Sequence, residues 1–201
     1  SSLGDWLGLL ATTAMAQQLS GGDYATANFA IAGVFIARLL PAVFLGPLAG
    51  VIADKLDRRK LMVSCDIVRA GLYISIPIFH NYFWLYTATI LVECVTLFWS
   101  PAKEASVPNL VPREKLESAN QVSLLAAYGT APIAALLFTF LSLFTSAFVA
   151  LIPNFNATAV DIALYVNALS FAFAAFTIWN LREIPKGAAA KHAADTGILK
   201  S

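Results

Sequence analysis

Charged side chains are scarce in this sequence. Asp, Glu, Lys and Arg make up 12% of its 201 residues, whereas hydrophobic residues make up 59%. Soluble domains carry about twice that charged fraction, so the chain has too few charges to cover the surface of a water-soluble protein of this size. The net charge is only +1, which supplies no basic surface for a nucleic-acid partner.

Cysteine and histidine are also rare, with two of each. Cys65 and Cys94 lie inside apolar runs, and no CxxC or Cys/His spacing accompanies them. Zinc sites and disulfide frameworks depend on such spacings. The sequence therefore predicts neither a metal site nor a disulfide, and both cysteines are expected to be small packing residues.

Long apolar runs account for most of the chain. Several approach or exceed the roughly 20 residues that a helix needs to cross a bilayer core, so the fold class predicted is an all-α polytopic membrane protein with six transmembrane helices. The expected spans are 1–19, 29–52, 61–79, 84–98, 121–144 and 160–181. Residues 1–181 are then a six-helix transmembrane bundle, and the Ala-rich, basic residues 182–201 are a cytoplasmic linker.

Basic residues are confined to alternate loops. Eleven of the 13 lie in the second loop, the fourth loop and the tail, and the first, third and fifth loops have none. The eleven are Lys55, Arg58, Arg59, Lys60, Lys103, Arg113, Lys115, Arg182, Lys186, Lys191 and Lys200. Lys and Arg are retained on the cytoplasmic side of membranes. We therefore expect a plasma (inner) membrane protein whose amino-terminal side and tail are cytoplasmic.

The second loop, within residues 46–60, has the sequence GPLAGVIADKLDRRK. Asp57 can cap the following helix by accepting a backbone N–H. Arg58, Arg59 and Lys60 stand in the first turn of that helix, where the dipole disfavours each cation by roughly 0.3 to 1 kcal/mol. A basic residue beside an anionic cytoplasmic leaflet gains about 1 kcal/mol, which offsets this cost.

Five charged residues lie at least one helical turn inside the apolar runs. They are Asp5, Arg38, Asp66, Arg69 and Glu93. A charge at the centre of a transmembrane helix costs about 2.5 kcal/mol or more, so each is a candidate functional residue. Asp66 and Arg69 are three residues apart on one helical face and can pair. At about 1.5 Å per residue, Arg38, Arg69 and Glu93 come out near the middle of the membrane.

Two interpretations of these charges are open. In one, Asp66, Arg69, Arg38 and Glu93 neutralise one another and only fix the register of the helices. In the other, they line a polar cavity, and at least one of Asp5, Asp66 and Glu93 couples proton movement to a conformational change. Desolvation favours a neutral carboxyl group and a nearby arginine favours a carboxylate, so such a group can respond to its surroundings.

Aromatic residues cluster near the expected ends of the third and fourth spans. They are Phe79, Tyr82, Trp84, Phe98 and Trp99. Aromatic rings of this kind anchor helices at the membrane interface or face lipid. We therefore expect interface anchors here rather than a substrate cage.

The loop within residues 46–60 resembles the signature loop between helices two and three of the major facilitator superfamily, in which a glycine precedes an acid and a basic cluster. Other segments resemble the drug and siderophore exporter branch of that superfamily: SSLGDW, ARLLPAVFLGPLAG, DIVRA and SPAKEASVPNLVPREKLESANQ. The resemblance implies a transporter of twelve helices in two halves. This chain would be the amino-terminal half and the start of the central linker.

The resemblance also implies a gate at the cytoplasmic end. Gly50 would permit close helix contact, and Asp54 would help to lock the gate against the second half. Asp57, Arg58 and Arg59 would belong to the same charged motif. In the segment SPAK, Lys103 is expected to substitute for a helix-four arginine of many relatives.

By resemblance the protein is expected to be a transporter, not an enzyme, and to need no cofactor. The function expected is proton-coupled export of an amphipathic small molecule, bound near the midplane between two halves that alternate access. The expected partners are the lipid bilayer, the substrate, protons and a second six-helix half, and no nucleic acid. Two alternatives stay open: a lysophospholipid or siderophore carrier, and a non-transporting membrane scaffold half-bundle.

Overall fold

A computed structural model describes residues 2–151 and 157–181. The helices found there are α1 (Ser2–Leu19), α2 (Tyr24–Lys55), α3 (Arg58–Phe79), α4 (Tyr82–Leu110), α5 (Leu116–Leu151) and α6 (Ala159–Asn180), with a 3₁₀ turn at Arg113–Lys115. No strand occurs within these two described ranges. The all-α fold is confirmed for them, while the expected linker, residues 182–201, lies outside the described residues.

Five of the six helices are long and apolar enough to cross a membrane, namely α2 to α6. The first helix is not among them, because Asp5 and polar residues such as Thr12 and Gln17 interrupt its apolar pattern. It packs against α2, α4, α5 and α6. A helix that is surrounded by other helices needs a less apolar surface than one that faces lipid. The sixth span therefore stays a prediction.

Large apolar side chains cover the outside of the bundle. On α2 and α5, for example, Val43 and Phe44 are about 70% exposed, as are Leu125 and Leu136. Water-soluble monomers rarely expose contiguous apolar surface of this kind. The exposed faces are suited to lipid or to further helices, as expected of an integral membrane protein.

Three helices extend further than the sequence indicated. The fourth helix continues to Leu110 instead of ending at residue 98, so Lys103 lies within a helix and not in a loop. The fifth begins at Leu116 instead of residue 121, and the second runs from Tyr24 to Lys55 instead of from 29 to 52. Because a helix satisfies its backbone hydrogen bonds internally, it can continue beyond the apolar part of its sequence into water.

Side chains cap the amino-terminal ends of four helices. The capping residues are Asp23 for α2, Asp57 for α3, Asn81 for α4 and Thr158 for α6. The Lys60 backbone N–H donates to Asp57 Oδ1 over 3.1 Å, so the cap predicted in the second loop is confirmed. These caps fix where each of the four helices begins.

The interior is built where α1, α3 and α6 meet. The ring of Tyr73 on α3 stacks on Phe171 of α6 with centroids 5.6 Å apart, and the helix α1 faces this pair with Gly8. A Cβ atom at Gly8 would collide with the Tyr73 hydroxyl group and would lie 2.9 Å from Asn167 Nδ2. The absence of a side chain at this position therefore sets how closely α1 approaches α3 and α6.

We predict that Gly8→Ala lowers the free energy of unfolding by about 1 to 3 kcal/mol, the usual cost of forcing extra volume into a packed interior. Thermal unfolding of the purified protein in detergent measures the change. The matched control is Gly129→Ala on α5, where no atom of the described residues lies within 4 Å of the added Cβ. Equal melting temperatures for the two variants would contradict the packing described here.

Candidate functional site

A fully buried ion pair lies inside the bundle. Asp66 and Arg69 are both 0% exposed, and Arg69 Nη1 lies 3.5 Å from Asp66 Oδ1. The same nitrogen lies 3.8 Å from Oδ1 of Asp5 on α1. One guanidinium group therefore faces two carboxylates, one from its own helix and one from the first helix.

Two aromatic rings enclose the Arg69 guanidinium group. Its Cζ atom lies 5.0 Å from the ring centroid of Trp99 on α4 and 5.2 Å from that of Phe171 on α6. Trp99 also donates its indole N–H to Asp66 Oδ2 over 3.2 Å. A desolvated cation gains from such contacts with ring faces, so these rings partly replace the water that Arg69 has lost.

Trp99, expected to anchor the membrane interface, packs against the buried pair. The fourth helix continues for eleven residues beyond it, so Trp99 does not stand at a helix end. Its ring contacts the buried pair, and Lys103 Nζ lies 5.7 Å from the centroid of the same ring. Trp99 therefore lies between the buried pair and Lys103, the basic residue further along α4.

The buried polar groups are incompletely hydrogen-bonded. Within the described part of the chain, no hydrogen-bond partner is present for the three guanidinium nitrogens of Arg69, for Asp66 Oδ1 or for the side-chain amide of Asn167. Carboxylates at 3.5 and 3.8 Å attract the guanidinium electrostatically but are too distant for good hydrogen bonds. The arrangement is an ion cluster whose members can still move closer to one another.

The second pair, Arg38 and Glu93, is closer and more accessible. Arg38 Nη2 lies 2.8 Å from Glu93 Oε1, and the two side chains are 20% and 17% exposed. This pair joins α2 to α4, whereas the Arg69 cluster joins α1, α3, α4 and α6. The five candidate residues therefore form two separate groups: a close, partly accessible pair, and a looser cluster in which Asp66 and Arg69 are buried and Asp5 is partly exposed.

The residues of the signature loop contact their own bundle. Arg58 Nη1 donates to the Ala105 carbonyl oxygen of α4 over 2.9 Å, and Arg59 Cζ lies 5.3 Å from the ring centroid of Trp179 on α6. No described atom lies within 4 Å of a Cβ placed on Gly50, so the close helix contact expected there is not made within this part of the chain. The side chain of Asp54 lies outside the described residues.

Cys65 is buried and Cys94 is half-buried, and both are free thiols. Across residues 2–151 and 157–181, no three His, Cys, Asp or Glu residues are grouped so that they could hold a metal ion. The chemistry available at the site is therefore that of carboxylates, arginines and aromatic rings.

Sequence reasoning missed the groups that surround Arg69 from other helices. Trp99 was assigned to the interface, and Phe171 and Asn167 were not singled out. Asn167 did carry a signal, because an amide inside the last apolar run is costly unless it has a partner. The two rings carried none, since aromatic residues are common throughout this chain.

A model of the protein family described as transmembrane secretion effector matches residues 1–183. The chain belongs to the major facilitator superfamily. Its efflux-related relatives place it in a branch that resembles drug exporters, as the sequence motifs indicated. No solved structure gives a significant match to the chain.

Three relatives illustrate the similarity. An uncharacterized MFS-type transporter of Bacillus subtilis, YfiS, is 32% identical over 124 residues, which are 61% of this chain and 28% of the relative. A second from that organism, YkuC, is 37% identical over 83 residues, 37% of this chain and 18% of the relative. Macrolide efflux protein A of Enterococcus faecalis is 34% identical over 82 residues, 38% of this chain and 25% of the relative. The matched part of this chain thus covers about a quarter of the length of these relatives, or less.

We predict that Arg69→Met destabilises the protein by about 3 to 5 kcal/mol, because it leaves a buried carboxylate without its cation. The double variant Asp66→Asn/Arg69→Met should recover part of that loss, since it removes the uncompensated charge. Thermal unfolding and the yield of monodisperse protein in detergent measure both effects. Arg38→Met is the control and should cost less, because its pair is partly solvated. An equal loss for Arg38→Met and Arg69→Met would contradict this account.

Proposed function

We propose that this chain is the amino-terminal half of a proton-coupled exporter of amphipathic small molecules that works by alternating access. The observation that carries the proposal is a charge imbalance among the apolar helices: three carboxylates, Asp5, Asp66 and Glu93, face two arginines, Arg38 and Arg69. Charges inside a membrane protein are costly and mark transport pathways and proton relays. A site with one carboxylate in excess becomes electrically neutral when it binds one proton.

The excess carboxylate belongs to the Arg69 cluster. Glu93 has its own close partner at 2.8 Å, whereas Asp5 and Asp66 share Arg69 at 3.8 and 3.5 Å. A proton on either aspartate leaves the other one paired with the guanidinium group. When one of the two aspartates is protonated, Arg69 is attracted only to the other. The helices that Arg69 holds together therefore change, and transport uses this change in helix contacts.

Asp5 is the aspartate that exchanges this proton with water. Its side chain is 38% exposed, whereas the side chain of Asp66 is fully buried and accepts the Trp99 N–H. When Asp5 is ionised it attracts Arg69 and draws α1 towards α3. When Asp5 is protonated that attraction is lost, and the first helix is released to move with the substrate cavity. Arg38 and Glu93 line that cavity and hold α2 against α4.

The relatives support the substrate class and the missing half. Three of the similar proteins are named for macrolide efflux, and a macrolide is an amphipathic small molecule. Because the chain spans about a quarter of its relatives, the proposal includes a second six-helix half that closes the cavity and meets Gly50 and Asp54 at the cytoplasmic gate. In transporters built from repeats, substrate binds where the two halves meet.

Proton coupling is tested by transport of a macrolide, erythromycin, into inverted membrane vesicles that contain the complete protein. With an imposed proton gradient, we expect accumulation for the unaltered protein and none above empty vesicles for Asp5→Asn, because the exchangeable proton site is gone. Exchange of erythromycin without a gradient should persist in that variant. Asp23→Asn, outside the membrane spans, is the control and should accumulate erythromycin normally.

Two results would contradict the coupling role of Asp5. Normal gradient-driven accumulation by Asp5→Asn would move the proton to another group, with Asp66→Asn and Glu93→Gln as the next variants. Loss of both accumulation and exchange, with normal unfolding temperature, would mean that Asp5 serves substrate binding rather than coupling. A complete protein that shows neither activity before mutation would favour the membrane scaffold.

The proposed orientation has its own test. We expect a cysteine placed at Lys60 to react with a membrane-impermeant maleimide only in inverted vesicles, and a cysteine at Asn81 only in intact cells, because basic loops are retained in the cytoplasm. The background is a variant in which Cys65 and Cys94 are replaced by alanine. Labelling of the Lys60 position from outside intact cells would reverse the topology.

A further inference from the structure

A shallow apolar groove runs along the outer surface of the bundle between α3 and α6. It has a volume of about 300 Å³. The third helix contributes Val63, Ile67 and Ala70, and the sixth contributes small and aromatic residues that include Ala172, Phe176 and Trp179. Alanines on both walls leave room for a slender apolar group. The groove does not involve Arg69, Asp66 or the Arg38–Glu93 pair.

A cation stands at one end of this groove. The ring of Trp179, which forms the end of the α6 wall, lies 5.3 Å from Arg59 Cζ. Arg59, Val63 and Ile67 follow one another at intervals of four residues, so they form a single stripe along the helix. The groove therefore leads from a guanidinium group directly into the apolar part of the bundle.

The positive charges at this end of the groove favour the binding of an anion. Arg58, Arg59 and the exposed Lys60 occupy the first turn of α3, where the helix dipole repels cations and attracts anions. Arg58 is bonded to α4, but Arg59 Nε is buried and has no hydrogen-bond partner in the described residues. A negatively charged group bound by Arg59 and Lys60 would relieve the crowding of like charges at this end of the helix.

The length of the groove matches one leaflet of a bilayer. Arg59 and Ala70 are eleven residues apart, a rise of about 16 Å. One leaflet contributes about half of the roughly 30 Å hydrocarbon core. A ligand whose anionic group lies at Arg59 would thus place an apolar chain along the whole groove.

We propose that this groove is a specific binding site for an anionic glycerophospholipid of the cytoplasmic leaflet. Its phosphate binds Arg59 and Lys60 beside Trp179, and one acyl chain lies between α3 and α6. The site rests on the proposed cytoplasmic location of the second loop but not on proton coupling. Lipid binding can therefore fail while transport holds, and the reverse is also true.

Native mass spectrometry of the purified protein, titrated with dioleoyl phosphatidylglycerol or dioleoyl phosphatidylcholine, tests the site. We expect tighter binding of phosphatidylglycerol. Arg59→Gln should weaken that binding about fivefold, as expected for one basic residue beside an anionic lipid, and should leave phosphatidylcholine binding unchanged. The matched control is Lys115→Gln, which removes an exposed cation elsewhere on the same side and should have no effect.

The acyl-chain part of the site is tested by filling the groove. Ala172 is exposed, so Ala172→Phe should be tolerated by the fold and should block phosphatidylglycerol binding. Ala126→Phe, at an exposed alanine of α5 outside the groove, should not. Unfolding temperatures of both variants show that the fold is intact.

Three results would overturn the proposal. The first is equal affinity of the unaltered protein for the two lipids, and the second is phosphatidylglycerol binding that survives both Arg59→Gln and Ala172→Phe. The third is a dimer mass that disappears in Ala172→Phe, because a second copy of the chain would then occupy the groove in place of a lipid.

Discussion

The buried guanidinium group of Arg69 is the constraint on which the arrangement of helices depends. Removing an ion from water costs several kcal/mol even after relaxation, and the protein compensates with parts of four helices: Asp5 of α1, Asp66 of α3 itself, Trp99 of α4 and Phe171 of α6. None of these contacts is a close hydrogen bond to Arg69. The cation is therefore held by several weak attractions, and the helices that supply them are held with it.

Much of this architecture could be predicted from local patterns in the sequence. The alternation of basic loops predicted where chain reversals occur, and the three-residue spacing of Asp66 and Arg69 predicted that they could meet. The enclosure of Arg69 by Trp99 and Phe171 could not be predicted, because it depends on how α4 and α6 are rotated about their axes. A helical period shows which residues share a face, but not which neighbouring helix that face meets.

The predicted ends of some helices were wrong for a related reason, because a local sequence pattern does not show where a helix ends. The sequence predicts a loop at Lys103, because polar residues and prolines follow the apolar run, yet α4 continues to Leu110. The apolar part of a sequence shows which residues can face lipid. The backbone hydrogen bonds decide where the helix itself ends. The first helix shows the converse. It is a complete helix that is not apolar enough to count as a membrane span, and it packs against α2, α4, α5 and α6.

The two ion pairs differ in how easily the helices that they join can shift relative to one another. Arg38 and Glu93 are in direct contact at 2.8 Å, so separating α2 from α4 would break a close charge-assisted hydrogen bond. Arg69 lies 3.8 Å from Asp5, so α1 can shift relative to α3 with a smaller change in interaction energy. Gly8, which lets α1 lie against Tyr73 without a side chain between them, is on the same helix. The first helix thus combines a carboxylate that shares Arg69 with a surface that packs closely against its neighbours.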